Sequence, residues 1–164
     1  MSKQYHWTPA PGEAAGEIAA IAAAVHAGHP EAEAVFQNRL SLYPEGCLLL
    51  TERASGRAAG YLLSHPWRRA DSIALDSLIA RLPEAPDCLY LHDIALLSKT
   101  RGRGMGASGL AAVEAIARRE GLNEIVLVAL PGALRFWEET GFRPAGKAAH
   151  PSYGAGAACL MKRL

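Results

Sequence analysis

The run Arg101-Gly102-Arg103-Gly104-Met105-Gly106-Ala107 lies between a predicted strand and a predicted helix. A glycine-rich turn that opens a helix gathers several backbone N–H groups around one point, and such a point suits a phosphate. Glycine serves there because a side chain would block the approach and because a tight turn can require positive φ. Arg101 and Arg103 add diffuse positive charge. The same pattern also fits a plain turn. It lacks the Gly-Lys-Ser/Thr ending of a Walker nucleotide loop, and it lies late in the chain.

Upstream, His92 and Asp93 are adjacent on the predicted strand that feeds this loop. Alternation along a strand sends neighbouring side chains to opposite faces, so only one of the two is expected to face a ligand. His6, His26, His29, His65 and His150 have no ligand spacing with Cys or acidic residues and read as surface or packing groups, and no metal is expected. His65 alone among them is near a possible substrate loop. Cys47, Cys88 and Cys159 are an odd number without metal-ligand or disulfide-framework spacing, and they read as reduced packing thiols. Tyr5, Trp7 and Trp67 fit either an acceptor pocket or ordinary packing.

The elements that must position these groups follow from periodicity. Glu13 to about Ala27 is Ala-rich, with Ile18, Ile21 and Val25 at helical spacing, and Gly28 and Pro30 end it. A second helix is expected over about Glu31 to Leu42. Cys47 to Thr51 and Ala58 to Ser64 read as a hairpin around Ser55-Gly56. Pro66 to Asp87 reads as either a substrate-facing loop or a surface connection, with a short helix around Leu75 to Leu82. Then come a strand over Leu89 to Leu97, a helix over Met105 to Arg119 stopped by Gly121, and a strand over Glu124 to Leu130. A short helix from about Ala133 to Thr140 and two strands, Phe142 to Gly146 and Ala157 to Lys162, complete a mixed α/β (α+β) order in one domain over 1–164.

Lys and Arg number 17 against 16 Asp and Glu, so no long-range field gathers nucleic acid or an anionic membrane, and a small partner is expected. No apolar run approaches the roughly twenty residues needed to cross a bilayer. The start Met-Ser-Lys-Gln-Tyr-His-Trp has no apolar signal core, which predicts a cytoplasmic protein.

Two blocks in register carry a family resemblance. Leu91-His92-Asp93-Ile94-Ala95-Leu96 followed by Arg101-x-x-Gly104-x-Gly106 resembles the central strand and Arg/Gln-x-x-Gly-x-Gly/Ala loop of the GNAT N-acetyltransferases. Ala133-x-x-Phe136-Trp137-Glu138-Glu139-x-Gly141-Phe142 is similar to that family's Ala-x-x-Phe-Tyr-Glu-x-x-Gly-Phe helix. The resemblance spans essentially the whole chain. It implies a central, mostly antiparallel mixed sheet with a splayed strand pair and flanking helices, and acetyl-CoA as cofactor. Arg101, Gly102, Arg103, Gly104, Met105, Gly106 and Ala107 would bind the pyrophosphate. The backbone at Ile94, Ala95 and Leu96 would pair with the pantetheine arm, and Phe136 and Trp137 would lie along its thiol end.

An acceptor ammonium must lose a proton before it attacks, and the resemblance makes His92 the favoured base with Asp93 beside it. Two positions depart from the pattern. Trp137 stands where a proton-donating Tyr is common, with Tyr153 as a possible substitute, and Leu130 stands where Asn is common. The implied function is acetyl transfer to a primary amine of a small molecule or peptide by direct attack in a ternary complex; a non-catalytic acyl-CoA-binding module is the alternative. A homodimer is implied by family habit alone.

Overall fold

A computed structural model describes residues 4–164. Residues 1–3, the start of the stretch inspected for a signal core, lie outside the described residues. Seven strands form one sheet: β1 (Tyr5–Pro9), β2 (Cys47–Glu52), β3 (Ala58–Trp67), β4 (Cys88–Leu96), β5 (Glu124–Ala129), β6 (Arg143–Ala148) and β7 (Ala158–Arg163). Their order across the sheet is β1-β2-β3-β4-β5-β7-β6. Helices α1 (Ala15–Val25), α2 (Glu33–Leu42), α3 (Met105–Arg119) and α4 (Leu134–Glu139) flank it.

Two apolar layers hold the helices to the sheet. Leu62, Leu89, Leu91, Ile125 and Leu127 pack with Leu110, Val113 and Ile116 of α3 and Trp137 of α4. Tyr61, Leu63, Leu49 and Ala95 pack with Ile18 and Ile21 of α1 and Phe36 and Leu40 of α2. Alternation on β3 therefore assigns Leu62 to the α3 side and Tyr61 and Leu63 to the α1/α2 side. The three cysteines are buried and free, and burial pushes the Cys47 and Cys88 thiols up to about 12.

One strand was not expected, and two expectations need correction. Tyr5–Pro9 is a strand, paired antiparallel with β2, although its shortness and terminal Pro9 give little sequence signal. β3 continues past Ser64 to Trp67, through Pro66. Its last pairing with β2 is Leu63 with Cys47, so the missing N–H of Pro66 interrupts no ladder on that side. The stretch around Leu75 to Leu82 is not a helix. Its N–H groups bond side chains instead: Leu75 to Ser152 Oγ, Asp76 to Glu31 Oε2 and Ile79 to Asn38 Oδ1.

The sheet has one parallel pair, β4 with β5, and it is short. Only Leu89 with Ile125 and Tyr90 with Val126 are in register. Beyond them β4 stays with β3 as far as Leu96, while β5 stays with β7 as far as Ala129. The two strands thus part from Leu91 onward.

Candidate functional site

The parting opens a cleft of about 900 Å³, within the range typical of small-molecule sites. Its walls come from β4, the turn before α3, the segment after β5, and the connection between α1 and α2. Leu97 N–H bonds Ala59 O, and ladder alternation then turns the backbone of Ala95 and Asp93 toward β3. The N–H and C=O of Ile94 and Leu96 are left facing the gap. Arg101 Nε donates to the Leu96 carbonyl at 3.2 Å, which anchors the loop to the strand. Of the three residues expected to offer backbone partners, Ile94 and Leu96 have the orientation, and Ala95 buries its side chain against α1 and α2.

The glycine turn has the conformation a phosphate cradle needs. Gly102 (φ +69°) and Gly104 (φ +75°) are left-handed, and a Cβ on either would meet nothing within 4 Å, so the turn is open to a ligand. The first α3 bond from beyond the turn runs from Ser108 N–H to Gly104 O, and the N–H groups of Met105, Gly106 and Ala107 precede it at the helix N-terminus. Gly109 is required by packing, and Gly106 is closely packed. A Cβ at Gly106 would be 3.1 Å from Phe136 Cζ, and one at Gly109 would be 2.8 Å from Trp7 Cζ2. Trp7 braces this helix start, its Nε1 donating to Met105 O and Ser108 Oγ. Arg103 donates to Gln4 Oε1 at 3.2 Å. Tyr5, Trp7 and Trp67 do not line the cleft, so the pocket role considered for them gives way to packing.

His92 and Asp93 face the same side, against the alternation argument. Leu63 pairs with Asp93 and Ser64 with Leu91, so β4 carries one residue more than β3 at this point. That bulge turns both side chains toward α1 and α2, between Leu91 and Ile94, which pack on the α3 side. Each then meets a partner that sequence reading left out. His92 Nε2 lies 3.0 Å from Glu31 Oε1, and His26 Nε2 lies 2.9 Å from Asp93 Oδ1. Tyr61 Oη donates to the other Asp93 oxygen.

The two pairs differ in access. The His92 side chain is 1% exposed and that of Glu31 8%, whereas His26 is 23% and Asp93 17% exposed. His92 Nε2 is engaged by Glu31, and its Nδ1 is buried without a protein partner among the described residues. His26 gives Nε2 to Asp93, leaving Nδ1 as the ring nitrogen available to a ligand. Burial alone would lower the His26 pKa, but the hydrogen bond and charge of Asp93, with Glu31 beyond, raise it above its ordinary value. Burial works to raise Asp93, yet His26 and Tyr61 together hold it below the usual carboxylate range. Glu31 is held low in the same way, against burial, by His92 and the Asp76 N–H.

Phe136 and Trp137 close the α3 side of the cleft in an edge-on pair with centroids 4.9 Å apart, and Trp137 makes a second such contact with Phe142 at 5.2 Å. Tyr153 lines the opposite wall; burial pushes its phenol up to about 12. Its carbonyl lies 3.0 Å from His29 Nε2, which fixes the segment after β6 to the α1–α2 connection. Leu130 lines the cleft where β5 ends.

The α/β sheet, whose parallel pair opens beside a glycine turn, thus offers unpaired strand groups and helix N–H groups along one cleft that ends at a His–Asp pair. Residues 12–142 match the family model described as Acetyltransferase (GNAT) family, and the chain belongs to that family. No curated protein sequence matches it. Among solved structures, Ard1 from Thermoplasma volcanium is similar at 14% identity and TM-score 0.76, with 98% of each chain covered. The GphF GNAT-like decarboxylase in complex with isobutyryl-CoA is similar at 18% identity and TM-score 0.79, covering 96% of this chain and 98% of that one. Naa50 of Arabidopsis thaliana, in complex with the bisubstrate analogue CoA-Ac-MVNAL, gives 11% identity and TM-score 0.72 over 98% and 99%. At these identities the likeness is one of fold.

Proposed function

We propose that the protein is an enzyme that transfers an acetyl group from acetyl-CoA to a primary amine of a small molecule or peptide, by direct attack in a ternary complex. The observation that carries this reading is the continuity of one cleft from the glycine turn, along the unpaired edge of β4, to the His26–Asp93 pair. Coenzyme A fits the residues present. Its pyrophosphate suits the N–H groups of Gly102 to Ala107, and its amides suit the gap-facing groups of Ile94 and Leu96. Arg101 lines the cleft at the turn while Arg103 turns to Gln4, and Phe136 and Trp137 form an apolar wall beside it.

Bound acetyl-CoA supplies an acyl group activated as a thioester. The chain supplies position and proton management. His26 takes the proton of the acceptor ammonium at Nδ1, because Asp93 fixes the ring through Nε2 and stabilises the cation that results. Tyr61 holds Asp93 in turn. His92, buried and bound to Glu31, supports this pair from behind: the Glu31 charge raises the His26 pKa and so strengthens the base. The gap-facing Ile94 and Leu96 N–H groups would donate to the ligand's carbonyls. Tyr153 lines the cleft wall. Burial pushes its phenol up to about 12, and a thiolate of pKa roughly 8 to 9 is a tolerable leaving group at neutral pH.

Trp137 and Leu130 in place of the common Tyr and Asn favour a second reading, a non-catalytic acyl-CoA-binding module. Thiol release from acetyl-CoA, measured across amines, amino acids, polyamines and peptide N-termini, separates the two. The enzyme reading expects amine-dependent release with at least one acceptor class. Tight coenzyme A binding with no release on any acceptor would replace it with the module.

A further inference from the structure

Asp76 has a positive φ of 55°, the one non-glycine residue among the described residues that does. This left-handed conformation disfavours a side chain, although Asp tolerates it better than most residues, and such strain persists only where the surroundings require it. The surroundings here are the α1–α2 connection. Asp76 N–H donates to Glu31 Oε2 at 3.1 Å, and Asp76 Oδ1 accepts from Ala32 N–H at 2.7 Å. Two bonds in opposite directions clasp the Glu31-Ala32 peptide. The other Glu31 oxygen, Oε1, is the one on His92 Nε2.

The segment around Asp76 does not need this clasp to stay attached. Asn38 holds Ile79 through both its N–H and its C=O, Arg39 Nη1 donates to Ser77 O at 3.0 Å, and Ser152 Oγ accepts from Leu75 N–H at 2.8 Å. What Asp76 adds is a second hold on the Glu31 carboxylate, at the oxygen that His92 leaves free. Its neighbour Leu75 lines the cleft and is held separately by Ser152.

We propose that Asp76 is a positioning residue for the acceptor site: its left-handed clasp on Glu31 and Ala32 aims the Glu31 carboxylate at His92. The acceptor half of this inference rests on the transferase reading above. Its structural half does not, and the test keeps them apart.

The ligand-free protein is compared with D76A, D76N and D76G by the solvent exchange of the His92 imidazole N–H in 1H–15N spectra. A His92 Nε2–H bonded to a fixed carboxylate is protected in the wild type. D76A, which loses the Oδ1 acceptor and disfavours the left-handed turn, is expected to lower that protection at least tenfold. D76N keeps an acceptor oxygen and tolerates positive φ, so it is expected to restore protection, and D76G, with the backbone but no acceptor, to fall between. In turnover, D76A raises the acceptor KM by about tenfold, the equivalent of one hydrogen bond to a charged group, with coenzyme A affinity unchanged. Unchanged His92 exchange in D76A, or a D76N protein as impaired as D76A, would overturn the proposal; if D76A does not fold, D76N against D76G decides. A wild-type protein inactive on every amine would remove the transferase reading and leave the exchange result standing.

Discussion

Acidification between pH 6.5 and 4.5 tests one buried group, His65. The residue is 1% exposed, on β3 opposite Tyr90, with its ring 5.3 Å from that of Trp67 and 5.5 Å from that of Tyr90. Its Nδ1 lies 3.0 Å from Pro66 O, so the neutral ring carries its proton there, and buried Nε2 has no partner among the described residues. A second proton would be buried unpaired. Burial first, and then the charges of His92 and Arg39, push the His65 pKa down to about 3 against the Pro66 hydrogen bond. In the unfolded chain the ring titrates near its ordinary value of about 6.5.

Between those two values the unfolded state binds a proton that the folded state refuses, so stability is complete above about 6.5 and declines as pH falls. The slope is about 1.4 kcal/mol per pH unit, giving a loss of about 3 kcal/mol by pH 4.5 and about 5 kcal/mol near pH 3. Other shifted groups near the cleft stay out of the window. His26, with its folded pKa raised, contributes fully below 6.5 and loses its contribution only as pH rises through the folded value. Glu31 and Asp93, with folded pKa values lowered, hold theirs above 4.5 and 3.8 and lose them as pH falls further. Urea unfolding at pH 6.5, 5.5 and 4.5 should therefore show a decline in the wild type that is absent from H65F, which fills the same space without a titrating group. Equal slopes in the two proteins would refute the reasoning.

Three further outcomes follow from the geometry. G104A forces a side chain into a left-handed turn at φ +75°, at a cost of about 1 to 2 kcal/mol; calorimetric titration should find coenzyme A bound about tenfold more weakly. G109A inserts a methyl 2.8 Å from Trp7 Cζ2 and 2.9 Å from Ile94 Cδ1. It should lower stability by about 1 to 3 kcal/mol in urea unfolding. Y153F removes a hydrogen-bond donor that is not an acid at neutral pH, so kcat should fall by about tenfold or less with the shape of the pH–rate profile unchanged.

The glycine turn and α3 were legible because both are local: Gly102 and Gly104 announce the turn, and Met105 to Arg119 has helical periodicity with the bounds that the structure has. The histidine pairs were not. Whether His92 and Asp93 share a face depends on a bulge set by the register of β3 against β4, which β4 alone does not encode. His26 and Glu31 are 67 and 61 residues from their partners, on a connection that reads as a helix end with polar residues. Their only sequence signal is the grouping of His26, His29 and Glu31 after an Ala-rich helix. The helix expected at Leu75 to Leu82 failed for a related reason: distant side chains of Glu31, Asn38 and Ser152 take the N–H groups a helix would have used.

The structure of the protein with coenzyme A bound tests the central claim most directly. The account predicts pyrophosphate on the N–H groups between Gly102 and Ala107, pantetheine amides bonded to the backbone of Ile94 and Leu96 in the gap between β4 and β5, and the thiol directed to the end of the cleft that holds His26 and Asp93. A cofactor bound elsewhere, or an arm that leaves the edge of β4 unpaired, would contradict it.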